Sequence, residues 1–224
     1  LDWGEHIWKP VIQDLFRITK QGGVVVWVVG DATIKGSETG TSFKQALWAN
    51  ECGFNLHDTM IYQKNGCSLQ NPNRYLQNFE YMFVFSKRSP KTHNLIADRE
   101  NRFERWGKTK KVREKDGSFT IRQTKPFAKF GRRFNVWKIA SGGQGNQTVD
   151  DFSFAHPATF PEKLANDHII SWSNEGDLVY DPFVGSGTTA KMAILNRRNF
   201  IGSEISKDYC DIAEKRIKDI VSDK

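Results

Sequence analysis

Asp181-Pro182-Phe183-Val184-Gly185-Ser186-Gly187-Thr188-Thr189 decides how the rest of the 224-residue chain is read. The apolar run Leu178–Tyr180 before it predicts a strand, and Thr188–Leu195 after it predicts a helix. Gly185 and Gly187 at that junction let backbone pass close beneath a ligand, in dihedrals that side chains resist. The stretch lacks the Gly-Lys-Ser/Thr ending of a nucleotide-phosphate loop and the full spacing of the dinucleotide fingerprint. Phe200–Gly202 begins another strand, and Glu204 stands at its end, 17 residues past Gly187. In a doubly wound sheet a carboxylate there accepts the two ribose hydroxyls of an adenosine. A tight structural turn followed by an ordinary strand-end glutamate is the plainer alternative. Strand, turn, helix, strand and acid in that order favour an adenosine cofactor.

Outward from this turn the chain alternates strands and helices. Pro161–Trp172 predicts a helix with proline in its first turn. Lys207–Val221 predicts a last helix, buried along Ile212, Ala213, Ile217, Ile220 and Val221. At the other end, Glu5–Lys20 predicts a helix with an apolar face of Ile7, Val11, Leu15 and Ile18, its first turn disturbed by Pro10 and its end set by Gly22-Gly23. Val24–Val29 is nearly all apolar and predicts a strand in the middle of a sheet covered on both faces, with Trp27 in the core. Asp31 ends it, on the side where α/β sheets place ligands, to line the substrate side or cap a turn. Ser37–Thr41 closes over a ligand or is a plain loop. Phe43–Cys52 predicts a helix capped by Thr41 or Ser42. Phe54–Gln63 and Glu80–Ser86 predict two strands, joined by a long connection over Lys64–Gln77. Such alternation means an α/β sheet.

The charge is concentrated. Ser86–Lys138 holds 17 basic and 5 acidic residues, so a mildly acidic body carries a strongly basic block inside a chain of net charge +7. The same block holds Phe103, Trp106, Phe119, Phe127, Phe130, Phe134 and Trp137. Cations interleaved with aromatics suit a surface that meets phosphates and bases, and a solvated loop region is the bland alternative. Lys108, Lys110, Lys111, Arg113, Lys129, Arg132 and Arg133 are the candidate contacts. No apolar run approaches the roughly 20 residues that span a bilayer, and no secretory leader is visible. Three cysteines without metal-site spacing predict reduced thiols in a cytoplasmic protein, and no metal.

These motifs together resemble the β-arrangement DNA amino-methyltransferases, which use S-adenosylmethionine. Asp181–Thr189 matches that family's Asp-Pro-Phe-x-Gly-Ser-Gly-Thr-Thr cofactor loop, and Phe200–Ser206 matches the setting of its acidic residue, Glu204. His156–Leu164 resembles the cofactor motif just upstream, and Gly22–Asp31 and Phe79–Lys87 resemble two strand motifs. The resemblance implies a Rossmann-like class I methyltransferase α/β sheet in segments 1–89 and 151–224, with a target-recognition insert over 90–150. It implies that backbone at Phe183, Gly185 and Gly187 meets the amino-acid part of the cofactor, with Asp181 near the ammonium and Glu204 on the ribose. His156, Phe160 and Pro161 would shape the pocket, His156 as a hydrogen-bonding or structural residue rather than a base. Thr188 would bind the carboxylate or only cap its helix. The implied partner is double-stranded DNA, methylated at an exocyclic amine. Adenine N6 is favoured over cytosine N4 on family frequency alone, and an RNA substrate is disfavoured by the long insert. A cognate restriction endonuclease, a homodimer and a bacterial or phage origin come with the resemblance. A DNA-binding subunit without activity is the competing class.

One family element has no counterpart. The catalytic loop, a polar residue followed by Pro-Pro and Tyr or Phe, holds the base amine in line with the methyl group and stacks on the flipped base. No two prolines are adjacent in the 224 residues, so no catalytic residue is assigned. In the family fold that loop ends the strand between those of Asp181 and Val24–Val29. The expectation is a sheet whose N-terminal catalytic strand lies outside this sequence.

Overall fold

The structure, a computed structural model, describes residues 3–66, 73–101, 109–123, 128–140 and 160–222. His156, Lys108, Cys67, Phe103, Trp106 and Phe127 lie outside the described residues. Two compact units emerge, Leu1–Asn94 with Asn135–Lys224, and Leu95–Phe134.

In chain order the larger unit begins with α1 (Glu5–Ile18), β1 (Val24–Val29), the short hairpin β2 (Thr33–Ile34) and β3 (Ser37–Glu38), α2 (Thr41–Glu51), β4 (Asn55–Gln63) and β5 (Phe79–Ser86). The smaller unit holds β6 (Arg99–Glu100), β7 (Thr109–Arg113), β8 (Phe119–Gln123) and β9 (Phe130–Gly131). The larger unit resumes with β10 (Val136–Lys138), α3 (Glu162–Trp172), β11 (Leu178–Asp181), α4 (Thr188–Leu195), β12 (Asn199–Gly202) and α5 (Lys207–Ser222). Its main sheet is mixed, in the order β1-β5-β4-β10, with β10 parallel to β4 and the other pairs antiparallel. β11 and β12 form a separate parallel pair.

The strand covered on both faces is β5. Its side chains alternate between two cores, as period-two geometry requires. Phe83 and Phe85 join Trp8, Ile12 and Leu15 of α1, Ala46 and Ala49 of α2, and Trp27 and Phe54. Met82 and Val84 join Met60, Tyr62, Trp137, Ile139 and Leu164. For Val24–Val29, expected in the middle of a sheet, the described residues supply a neighbour on one side only. β1 stands at the end of the main sheet, hydrogen-bonded among the described residues only to β5. Val25 and Val29 pack against the first core and Val24 and Val28 against the second, all half-buried. A continuous apolar run reports coverage of the faces and carries no information about the edge.

Two helix faces also differ from their spacing. α1 buries Trp8, Ile12 and Leu15, while Ile18 is exposed. The large indole sets the face, and the helix continues through Pro10, which is exposed. α5 buries Ala213 and Arg216, leaving Ile212, Ile217 and Ile220 half-buried. Pro161 precedes α3 as its N-cap, one position earlier than expected.

Asp31 has a structural task. α2 starts behind Gly40, held at φ 62°, without a cap from the side chain at that position. The Asp31 carboxylate supplies one from a distance: it accepts the Ser42 N–H at 3.0 Å, the Thr39 hydroxyl at 3.1 Å and the Ser42 hydroxyl. An anion at a helix N-terminus satisfies orphan donors and suits the macrodipole. Partial burial pushes its pKa up, but the bonds from Ser42, Thr39 and the Thr41 backbone outweigh that and hold it below the ordinary aspartate value. Asp31→Ala is expected to lower unfolding free energy at pH 7 by about 1 kcal/mol, read from urea midpoints. Because the folded pKa is depressed, the stabilisation is present above the unfolded value near about 4 and is lost as pH falls through the lower folded value. Equal midpoints at pH 7 would contradict the capping role.

Candidate cofactor site

The glycine turn is positioned by backbone first. Leaving β11, the Asp181 carboxylate accepts the Phe183 N–H at 2.9 Å and so folds the chain back. The Asp181 carbonyl accepts the Ser203 N–H at 3.0 Å, and the Ser203 carbonyl accepts the Val184 N–H at 3.1 Å, which stitches the turn to the chain beyond β12. Gly185 and Gly187 stand at φ 51° and 82°, the left-handed region that favours glycine. A Cβ on Gly187 would also meet Ala213 of α5 at 3.0 Å, so that position requires glycine twice over.

Glu204 lies directly against this turn. One carboxylate oxygen accepts the Gly185 N–H at 2.8 Å and the other accepts the Ser206 N–H at 2.9 Å. A carboxylate oxygen can take more than one donor. The turn and the acid follow the C-terminal ends of the parallel pair β11–β12, where α/β sheets place ligands. This arrangement fits an adenosine bearing a charged amino-acid tail: a diol acceptor stands beside close-approach backbone, and Asp181 adds a second carboxylate. Phe183 is 45% exposed, with its ring edge-on to Trp3 at 5.2 Å and to Trp27 of β1 at 6.2 Å. Phe160 packs between the second core and the α3–α4 contact, and Pro161 is buried beside it.

The turn is anchored from behind by a residue absent from the sequence-based site. Arg216 of α5 is 2% exposed. Its guanidinium donates to the Ser186 carbonyl at 3.1 Å, the Thr188 hydroxyl at 3.0 Å and Glu162 of α3 at 2.6 Å. Lys191 of α4 joins the same Glu162 oxygen at 2.7 Å. Three helices and the glycine turn therefore meet at one buried charge cluster. Thr188 is buried with its hydroxyl turned to Arg216, and α4 has no side-chain N-cap. The signal in the sequence was the arginine interrupting the apolar stripe of the last helix, three residues after Ala213.

The cations of the smaller unit divide by task. Arg133 is held by Asp98, its Nε 3.0 and 3.1 Å from the two carboxylate oxygens, and its N–H bonds to the Ile96 carbonyl. The Arg132 carbonyl accepts from Arg99, whose guanidinium also stacks 4.6 Å from the Phe134 ring. Lys129 lies 5.4 Å from the Phe130 ring. Lys110, Lys111 and Arg113 are exposed on β7. Asp31, by contrast, is engaged at the N-terminus of α2.

The fold is of the α/β class, and the turn with its carboxylate is a candidate site for a nucleoside cofactor. Comparison with known proteins makes this specific. A family profile described as DNA methylase, covering the N6 and N4 enzymes, matches residues 5–215. The orphan methyltransferase M.BamHII of Bacillus amyloliquefaciens is 60% identical over 219 residues, spanning 95% of this chain and 81% of that protein. The type II methyltransferase M.MjaI of Methanocaldococcus jannaschii is 28% identical over 93% of this chain, which spans 65% of that longer protein. Among solved structures, the cytosine-N4-specific PvuII DNA methyltransferase aligns over 91% of this chain and 69% of its own, at 19% identity and a TM-score of 0.66. The chain belongs to the DNA methylase family. Among the described residues, no helix is long and apolar enough to cross a membrane.

Replacing Arg216 by Met removes one partner from the buried cluster. We expect a loss of about 3 kcal/mol in unfolding free energy, the low end for breaking a buried pair because Lys191 still faces Glu162. Denaturant unfolding of the full-length protein checks this, and a loss under 1 kcal/mol would show that the cluster does not secure the turn.

Proposed function

We propose that this chain is the cofactor-binding and target-contacting part of a DNA methyltransferase that uses S-adenosylmethionine to methylate an exocyclic amine, adenine N6 or cytosine N4. The observation that carries the reading is the direct bond between the Gly185 N–H and Glu204, which sets a diol-accepting carboxylate beside a glycine turn at the end of a parallel strand pair. The family membership supports the same reading.

When bound, the cofactor supplies a methyl group made electrophilic by its sulfonium. The residues present divide the holding work. Glu204 accepts the ribose hydroxyls, and Asp181 balances the ammonium. Backbone over Phe183–Gly187 lines the amino-acid part, and Phe160 and Pro161 form the neighbouring wall. Thr188 serves this site through Arg216, by fixing the start of α4.

A base amine is a poor nucleophile because its lone pair is delocalised into the ring, so the enzyme must orient it and accept its proton. We assign that task to a polar-Pro-Pro-aromatic loop on a strand lying between β1 and β11. Among the described residues each of these strands is hydrogen-bonded on one side only, and Trp27 and Phe183 bring β1 and the end of β11 close to one another. The basic unit 95–134 supplies DNA contact. The name of the 60% identical relative, an orphan methyltransferase, supports action without a restriction endonuclease partner.

The test is transfer of labelled methyl from S-adenosylmethionine to duplex DNA by the full-length protein, followed by nucleoside analysis. Labelled N6-methyladenine or N4-methylcytosine is the expected product and separates the two chemistries. Retention of DNA with no transfer would overturn the enzyme reading in favour of a binding subunit.

A further inference from the structure

The ribbon formed by β7 and β8 has two chemically different faces. Its register pairs Lys111 with Ile121, Arg113 with Phe119, Lys110 with Arg122 and Val112 with Thr120. Directly paired residues share a face, so Lys111, Arg113, Phe119 and Ile121 stand together and Lys110, Val112, Thr120 and Arg122 stand on the other side. The second face pairs its arginine with an acid and leaves Lys110 exposed. Glu114 accepts from Arg122 at 2.9 Å and from the Thr120 hydroxyl at 2.6 Å, and Val112 is half-buried. The first face carries two cations and no acid, and its apolar members lie open to solvent, Phe119 at 56% and Ile121 at 73%. Lys111 rests 4.6 Å from the Phe119 ring, which holds the ammonium up on that face.

Exposed apolar side chains on a two-stranded ribbon are a liability unless something covers them. Charge identifies the occupant. Leu95–Phe134 contains 13 basic and 5 acidic residues, so its partner is an anion. A second copy of the same face would set four cations against one another, which like-charge repulsion opposes. A two-stranded ribbon also fits the B-DNA major groove, where thymine methyl groups offer apolar contact and phosphates flank both sides.

Resting on the reading of the chain as a DNA methyltransferase, we propose that the β7–β8 ribbon docks on duplex DNA through the face bearing Lys111, Arg113, Phe119 and Ile121. Lys111 and Arg113 meet phosphates and fix position, while Ile121 and the edge of Phe119 press against base edges. Lys110, on the other side, contributes no direct contact. Arg133, paired with Asp98, serves the folding of its own unit rather than DNA.

The test measures dissociation constants of the full-length protein for a 30-base-pair random-sequence duplex across a salt series. Four proteins are compared: wild type, the double variant Lys111→Gln with Arg113→Gln, Ile121→Thr, and Lys110→Gln. The double variant should bind about 10-fold or more weakly at low salt and lose about 2 from the slope of log affinity against log salt. Ile121→Thr, which keeps a β-branched strand residue, should weaken binding several-fold with the slope unchanged. Lys110→Gln should match wild type. A slope loss of about 1 in Lys110→Gln, half that of the double variant, would overturn the proposal in favour of diffuse attraction. Wild-type DNA affinity in Ile121→Thr, with a lower melting temperature or a changed sedimentation coefficient, would assign the face to the rest of the chain or to a second copy. Methyl transfer by wild type separates the two levels. Transfer with indifferent face variants sinks the docking face alone, whereas no transfer with sensitive face variants sinks the enzyme reading alone.

Discussion

A guanidinium taken out of water is costly unless hydrogen bonds and countercharge replace its hydration. Arg216 meets that condition with the Ser186 carbonyl, the Thr188 hydroxyl and the Glu162 carboxylate, and the packing around the glycine turn follows from it. Those partners belong to the glycine turn, α4 and α3, so the arginine on α5 sets all three relative to one another. Close approach of α5 is possible because Gly187 has no Cβ to meet Ala213. With the back of the turn fixed, its front edge presents the Gly185 N–H to Glu204. The site is thus held by a charge cluster on one side and a single carboxylate on the other.

The main sheet solves a separate problem. β5 divides its side chains between two cores and carries the packing, while β1 closes one side of it through a single ladder. Trp27 ties β1 into the first core and donates its indole N–H to Gln45 at 2.7 Å, so the strand is well seated although one of its edges is unpaired among the described residues.

The elements around the glycine turn were legible because each had its own local signal. Thr188–Leu195 was bounded by glycine and by polar residues, and the strand of Leu178–Tyr180 by turn chemistry. What the sequence could not carry was which hydrogen-bonding edges are filled, because a strand's side chains report only its faces. Val24–Val29 is apolar on both faces, and that run is silent about its second edge, which is unpaired among the described residues. Arg216 escaped because a periodicity argument discards a charge on an apolar stripe, when a paired charge there marks a junction. Asp31 was open between lining and capping until the positions of Thr39 and Ser42 were known. The six described basic candidates of the insert looked alike in sequence, and only strand register and the Asp98 pairing distinguish Lys111 and Arg113 from Lys110 and Arg133.

The central claim is that Glu204 and the turn over Asp181–Gly187 hold the adenosine and amino-acid parts of S-adenosylmethionine. Calorimetric titration of S-adenosylmethionine into the full-length protein, with and without the substitution Glu204→Gln, tests it most directly. A carboxylate binding two hydroxyls contributes about 2 kcal/mol through charge-assisted bonds, so affinity should fall roughly 30-fold in the variant while affinity for duplex DNA stays the same. Equal cofactor affinity in the two proteins would contradict the account.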